Sequence, residues 1–306
     1  MCLGSLMASW RELDLRALIV VGRGPDWNDV ALARACKRSL GHARLVRAQD
    51  LSAYVGPDGV KLWHGTGELE APDVCFVRSL GSGTHEQLVA RLAVLRAAEE
   101  LGSIIVNPVG ALERARDKFS ALLALRKAGF AIPRTYLTEL ASVAYRLSSS
   151  MQEFVFKPIA GSLGFGSMLF GDRDLAFNVL KVLEAHGCPL YIQEFLRGGR
   201  EFRILVLAGE VVACAEKVGQ PGSWKKNVAQ GARMKKAEAP EELQEMCVRA
   251  TEELGLFYAG LDVVELDGLF MALEANAAPN WRGLQECTGL EIAKVLVGKV
   301  LELLKS

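Results

Sequence analysis

The chain has 306 residues, half of them apolar, with 36 basic and 36 acidic side chains and a formal net charge of zero. That composition belongs to a folded chain with a large core and room for two or three packed units, and it excludes a disordered one. The neutral balance removes any bulk electrostatic case for nucleic acid or an anionic membrane as a partner. Seven cysteines are scattered without a CxxC pair, which reads as reduced thiols in a cytoplasmic protein. The first residues lack a positive start and a long apolar stretch, so no signal peptide is expected and Met7 is an alternative start. No apolar run approaches the length of a membrane span.

Residues 16–21 end in a β-branched run and lead to Gly22, Gly24 and Pro25, a buried strand followed by a turn. A helix fits 29–40. A second strand, 74–78, is closed by Ser79, Gly81 and Gly83. Thr84 opens a helix with Gln87 three positions later, the capping-box spacing, and Leu88, Leu92, Leu95 and Leu101 repeat near the helical period. Residues 104–106 form a strand ended by Asn107 and Pro108. Strand and helix thus alternate over the first third, which predicts a parallel α/β unit.

After Pro108 the texture changes. Residues 117–128 form a helix closed by Gly129, with Pro133 beyond it. From 153 onward strands predominate, at 153–157, 190–193, 202–207 and 211–215, with Gly209 marking a hairpin between the last two. A helix over 243–254 stops at Gly255. Strands at 259–265 and 269–275 flank Asp267 and Gly268, a strong turn signal. Ile292, Val295, Leu296, Val300, Leu303 and Leu304 make the apolar stripe of a closing helix.

Three sets of residues can carry chemistry. The first is Asp262, Glu274 and Asn276. Period-two geometry puts Glu274 and Asn276 on one face of a strand. A two-residue loop at Asp267 and Gly268 pairs Asp262 with Leu273 and turns Glu274 to the opposite face. A three-residue loop that adds Leu266 pairs Asp262 with Ala272 and turns all three polar groups one way. Clustered carboxylates on half-buried strands repel unless a cation neutralises them, and hard oxygen donors suit magnesium. The alternative is a pair of surface carboxylates on a hairpin.

The second set is Lys157 and Pro158 followed by the glycine-rich run over 161–166. Glycines let backbone N–H groups approach phosphate oxygens, and the lysine adds a point charge. No Gly-Lys-Ser/Thr ends the run, so it is not a Walker A loop, and a lysine-proline strand before it argues against a Rossmann fingerprint. The third set is Arg203, Lys217, Lys225 and Lys226, with Asn227 following. An arginine in the middle of an apolar strand usually has an anionic partner, and Glu201 is one candidate. Lys225 and Lys226 read equally as a solvated loop.

In this order, from about Val74 to the C-terminus, the motifs resemble the ATP-grasp superfamily, most closely its RimK-type glutamate ligases. Asp117 with Lys118 opens a helix, Lys157 and the glycine loop follow, and Gln193, Glu194 and Phe195 match the adenine hinge. Glu201 and Arg203 share a strand, Lys225, Lys226, Asn227 and Gly231 match a basic loop, and Asp262, Glu274 and Asn276 match the metal set, with Pro279 beyond. The departures are Glu201 where many relatives have aspartate, the paired lysines of the basic loop, and bulky Leu163 and Phe165 in the glycine loop.

The resemblance implies an ATP-grasp fold, α/β and α+β. An N-terminal parallel α/β (pre-ATP-grasp) domain would span 1–108, a central subdomain with the glycine loop 109–187, and a C-terminal subdomain with the metal site 188–306. It implies that Lys118, Lys157 and the loop residues Gly161, Ser162, Gly164 and Gly166 meet ATP phosphates. Gln193, Glu194 and the backbone of Phe195 would lie at adenine and Glu201 at ribose, with Lys225, Lys226 and Asn227 also binding the nucleotide. Asp262, Glu274 and Asn276 would hold two magnesium ions, for which manganese can substitute. Arg203 and Lys217 would be catalytic, Arg203 by neutralising the transferring phosphoryl group.

The implied reaction turns a carboxylate into an acyl phosphate that an amine then attacks, a task of positioning and charge neutralisation. Arg78 and Ser79, at the carboxyl end of a parallel strand, lie where open α/β sheets bind ligands, and the resemblance puts the acid substrate there; a charged loop is the alternative. The stretch 77–108, with a smaller contribution from 280–284, is most similar to ligases that glutamylate one-carbon carrier coenzymes of the methanopterin or furan kind. L-glutamate and a small-molecule acid are therefore the expected substrates, and a homo-oligomer is expected from the family. A protein or carrier-protein C-terminus as acceptor, a thiol nucleophile, and a non-catalytic ATP-binding module stay open.

Overall fold

A computed structural model of the chain describes residues 14–159, 166–219 and 233–305. The chain divides into two compact units. One comprises residues 1–109, 280–282 and 291–306, the other 110–279 and 283–290.

The first unit contains β1 (Leu15–Val21), α1 (Trp27–Leu40), β2 (Gly41–Arg47), β3 (Leu51–Gly56), β4 (Gly59–His64), β5 (Gly67–Leu69), β6 (Val74–Val77), α2 (His85–Glu100) and β7 (Ile104–Val106). A four-stranded parallel sheet runs in the order β2-β1-β6-β7. The middle of β1 and all of β6 are buried, as expected of parallel strands covered on both faces. α1 buries Leu32, Cys36 and Leu40 at i, i+4 and i+8. α2 begins at Thr84 with the capping box anticipated from Gln87. β3, β4 and β5 form a separate antiparallel meander; their segments are short and β3 is largely exposed, which gives a weak sequence signal, although Asp58 before Gly59 is a hairpin pair.

The second unit holds α3 (Val109–Arg116), α4 (Lys118–Lys127), β8 (Thr135–Thr138), α5 (Ala141–Leu147), β9 (Phe154–Lys157), β10 (Met168–Phe170), α6 (Arg173–Ala185), β11 (Leu190–Glu194), β12 (Arg200–Leu207), β13 (Glu210–Val218), β14 (Arg233–Lys236), α7 (Glu241–Leu254), β15 (Tyr258–Leu266), β16 (Leu269–Asn276) and α8 (Arg282–Thr288). It contains two antiparallel sheets, ordered β10-β9-β11-β8 and β14-β13-β12-β15-β16. β11 pairs with β8 and β9, so the central sheet extends past the expected break after residue 187. Its apolar face packs Phe154, Phe156, Leu190 and Ile192 against Ala144, Ala176 and Leu180 of α5 and α6. Across the larger sheet, α7 buries Leu243, Met246, Cys247, Ala250 and Leu254 and packs on β12, β13 and β15.

The closing helix α9 (Ile292–Lys305) belongs with the first unit, whereas the sequence reading placed it with 188–306. Its stripe of Ile292, Leu296, Val297 and Val300 is buried, and the helix packs along α1. Among the described residues the six cysteines are free thiols, and no helix is long and apolar enough to cross a membrane.

Candidate active site

The larger sheet of the second unit lines up charged side chains on one face. β12 presents Glu201 and Arg203 two residues apart, hence on the same side. Lys217 of β13 lies across from Glu201, and Asp262 of β15 lies across from Arg203. Glu274 of β16 lies across from Asp262. The intervening Phe202, Ile204, Leu261 and Val263 are fully buried, which fixes the register, because a one-residue slip would exchange the two faces.

Neither loop considered from the sequence accounts for the Asp262–Glu274 pairing. The hairpin turns through two residues, Asp267 and Gly268, both with positive φ, and Leu266 pairs with Leu269. That turn alone would set Asp262 against Leu273. The register shifts between Asp262 and Val263, so that Val263 pairs with Ala272 and Asp262 with Glu274. Leu273 is the extra residue of a bulge, a device that re-aims a side chain within a ladder.

The acids are held by the protein's own cations. Lys217 Nζ lies 2.8 Å from Asp262 Oδ2 and 2.9 Å from Glu201 Oε1. Arg203 Nη1 lies 3.2 Å from Asp262 Oδ1. Burial works against both charges, but for Asp262 the Arg203 and Lys217 cations outweigh it and hold the carboxyl below its usual range. For Lys217, burial is likewise outweighed, first by Asp262, and its pKa is raised.

The central sheet contributes Lys157. Its Nζ donates to Gln193 Oε1 at 2.6 Å. Gln193 is 2% exposed and also donates from Nε2 to Thr135 Oγ1 and to the Tyr191 hydroxyl. Gln193 therefore orients the lysine from within the sheet. Lys157 is held below the usual lysine range by desolvation, partly offset by attraction to Glu274, Asp262 and Glu201. Lys118, at the start of α4 behind the Asp117 cap, donates to the Ile159 carbonyl at 3.2 Å. Desolvation lowers its pKa against the pull of Glu274. Lysines from the central sheet and α4 thus feel the charge of carboxylates from the larger sheet.

Glu194 takes a different place. It pairs with Phe154 in the ladder, whereas Lys157 pairs with Tyr191, so strand alternation puts its side chain on the face opposite Lys157 and Gln193. Its carboxylate is bound by Arg134, 3.0 Å from Nε, which lowers its pKa. The Phe195 N–H donates to the Glu153 carbonyl at 3.0 Å. Around this hinge lies a polar cavity lined by Arg134, Ser150, Gln152, Glu153, Glu194, Phe195 and Arg197.

Asn276 Oδ1 accepts the Ala278 N–H at 2.9 Å. Gly260, across from Asn276, was not singled out from the sequence. A Cβ there would lie 2.7 Å from Pro279 Cβ and 3.1 Å from Arg203 Nη1, so the missing side chain is the space the guanidinium fills. A glycine inside an apolar strand was the available signal. Gly161, Ser162, Gly164, Lys225, Lys226 and Asn227 lie outside the described residues. Gly166 is described, exposed and at φ 75°.

Arg78, expected at the acid substrate, is buried and held by partners from its own unit. Its side chain is 2% exposed, and its Nε lies 3.1 Å from Asp29 Oδ1. Nη2 donates to Asn280 Oδ1, and the guanidinium stacks 4.4 Å from the Trp281 ring centre. Asn28 Oδ1 accepts the Trp281 and Arg282 N–H groups. Apolar packing and a buried ion pair have turned this arginine into the core of the first unit, leaving only Ser79 exposed at the strand end.

The metal expectation can be tested against these donors. Among the described residues no group of three or more His, Cys, Asp or Glu side chains forms a cage. Asp262 and Glu274 nonetheless stand across the ladder from one another, and Asp262 Oδ1, 3.2 Å from Arg203 Nη1, is buried without an aligned hydrogen bond among the described residues. Two adjacent carboxylates, one with an oxygen that an ion pair approaches but no aligned hydrogen bond fills, and an amide oxygen nearby are a hard donor set that fits magnesium.

The family model for the RimK-like ATP-grasp domain matches residues 115–300. The chain belongs to the RimK-like ATP-grasp family. Like the other members, this RimK-like protein is an ATP-dependent ligase. It is 31% identical over 297 residues to the tetrahydromethanopterin:alpha-L-glutamate ligase of Methanocaldococcus jannaschii, covering 94% of this chain and 99% of the relative. It is 30% identical over 209 residues to a probable alpha-L-glutamate ligase of Enterobacter sp. strain 638, covering 67% and 70% of the two chains. Among solved structures, the ATP-grasp ligase PsnB complexed with its minimal precursor superposes with a TM-score of 0.75 at 22% identity, covering 95% of this chain and all of that one. That likeness shows the shared fold.

Proposed function

We propose that this ligase joins L-glutamate to a small-molecule acid, a coenzyme or its precursor, through an acyl phosphate. One arrangement carries the reading: Lys157 lies within electrostatic reach of Glu274 and Asp262, and Lys118 of Glu274, so cations suited to a polyphosphate share the field of oxygen donors suited to a divalent ion. The near full-length similarity to a tetrahydromethanopterin:alpha-L-glutamate ligase supports glutamate as the amine and a coenzyme as the acid. A solved structure of PsnB holds a precursor peptide, which keeps a peptide acceptor as the second reading.

Lys118 and Lys157 neutralise the phosphates of ATP, the backbone around Glu194 and Phe195 holds adenine, and Glu201 meets ribose. Asp262, Glu274 and Asn276 would hold magnesium, two ions with manganese a substitute, which when bound supplies further charge neutralisation at the phosphates. The γ-phosphoryl group passes to a carboxylate oxygen of the acid, the bond from that phosphorus to the β-bridging oxygen breaks, and ADP leaves. Arg203 faces the charge on the group in transit. The amine of glutamate then attacks the acyl carbon, the amide C–N bond forms, and phosphate departs with the former carboxylate oxygen. The amine's excess proton goes to solvent; no side chain is assigned as its base.

The test is incubation with ATP, magnesium, L-glutamate and a metabolite extract, read by mass spectrometry for glutamyl adducts. Adducts that require every component support the proposal, and their parent mass gives the acceptor. ADP without adduct rejects glutamate as the amine. Nucleotide binding without ADP formation favours a non-catalytic module. With the acceptor known, ¹⁸O in its carboxylate should appear in the released phosphate.

A further inference from the structure

Asp262 is already neutralised from two sides. Lys217 is 3% exposed at its side chain and bridges Asp262 Oδ2 and Glu201 Oε1 at 2.8 and 2.9 Å. It reaches from β13, two strands away from Asp262 in the sheet. Ala215, two residues before Lys217 on β13 and so on the same face, lies across from Arg203, and no long side chain of β13 stands there beside the lysine. Arg203 approaches the other oxygen of Asp262. A buried carboxylate without a counter-charge is costly, so in the absence of a divalent ion Lys217 supplies what the ion would.

We infer that Lys217 is a resident counter-cation, which holds Asp262 in the metal-free protein and competes with a divalent cation for that carboxylate. The inference rests on the metal-binding role proposed above for Asp262. An ammonium and a divalent ion cannot both approach one carboxylate closely without strong mutual repulsion at low effective dielectric. Lys217 thereby keeps the acids folded together before the ion arrives and weakens binding of the ion alone. Glu201 moderates this hold, because it shares the same ammonium. Removing the Glu201 charge leaves Lys217 to Asp262 undivided. A lysine placed only to meet phosphate predicts neither effect.

The experiment measures Mn²⁺ binding without nucleotide, by the electron paramagnetic resonance of the free ion, in the full chain. The wild type with ADP present is the control. Lys217→Met should bind Mn²⁺ about tenfold or more tightly than wild type. Its metal-free Tm should fall and its gain in Tm on adding Mn²⁺ should exceed the wild-type gain. Glu201→Gln should shift affinity the opposite way, below wild type. Unchanged or weaker Mn²⁺ binding by Lys217→Met overturns the inference. If that variant does not purify folded, Glu201→Gln decides alone, and unchanged or tighter binding overturns the inference. If wild type binds no Mn²⁺ even with ADP, the metal reading itself fails and the inference falls with it, an outcome distinct from loss of the variant effects alone.

Discussion

Asp262 and Glu274 stand directly opposite one another across β15 and β16 because Leu273 is an extra residue in the ladder. The bulge cancels the one-residue offset set by the two-residue turn. Glu274→Gln keeps the shape and removes the charge. The expected result is a fall in kcat of about 100-fold or more, with ADP affinity within about threefold of wild type by calorimetry. Equal loss of both would assign Glu274 to nucleotide binding alone.

Gly260 is the second target. Its Cβ position is filled by Pro279 and by Arg203 Nη1, so Gly260→Ala must displace one of them. Overpacking of this kind destabilises by about 1–3 kcal/mol, which a denaturant melt will read. If the guanidinium is what moves, kcat should fall more than KM for ATP rises. A loss of stability with unchanged kinetics would show that Pro279 yields instead.

Lys157 gives a pH dependence with a defined sign. Desolvation holds its pKa below the ordinary lysine value of 10.5, and only the protonated form attracts phosphate. Nucleotide affinity should therefore be fully present at neutral pH and decline as pH rises through that lowered pKa, before 10.5 is reached. Lys157→Arg, which stays charged, should move the alkaline limb upward. ADP titrations between neutral pH and pH 10 check this, and a limb that does not move assigns the titration to another group.

Arg78 should matter to folding more than to the acid substrate. Arg78→Ala leaves Asp29 buried and unpaired, a loss of about 3–5 kcal/mol. The double change Arg78→Met with Asp29→Leu should cost less, because no lone charge is left inside. Chemical denaturation of the three proteins tests this. A stable Arg78→Ala protein with a raised KM for the acid would return Arg78 to the substrate role.

Much of the site was legible in the chain order. Lys118, Lys157, Glu201, Arg203, Lys217, Asp262 and Glu274 carry charges on or beside apolar strands, where an isolated charge is too costly to stand without a partner. Their types announced that each needs a partner, and the resemblance to ATP-grasp ligases implied that they share one site. The strands were legible for a related reason, since β1, β6 and β12 are apolar runs closed by turn residues. The meander of β3 to β5 was passed over because its short strands give weak periodicity, whereas α6 was missed although Ala176, Leu180 and Leu183 stand at helical spacing.

Sequence by itself thus determined which groups must be neutralised and the order of the elements that bring them. Tertiary structure alone decided which partner each one meets. Local pattern is blind to a bulge, so it could not place Glu274 against Asp262. Strand alternation turns Glu194 toward Arg134 only once β11 is paired with β9. Arg78 sits at a strand end that would suit a ligand, yet Asp29, Asn280 and Trp281 close over it. Two of these partners come from the other end of the chain, and α9 likewise returns to pack on α1. Contacts between residues some two hundred positions apart arise from filling a shared core, and no window of sequence contains both sides of that packing.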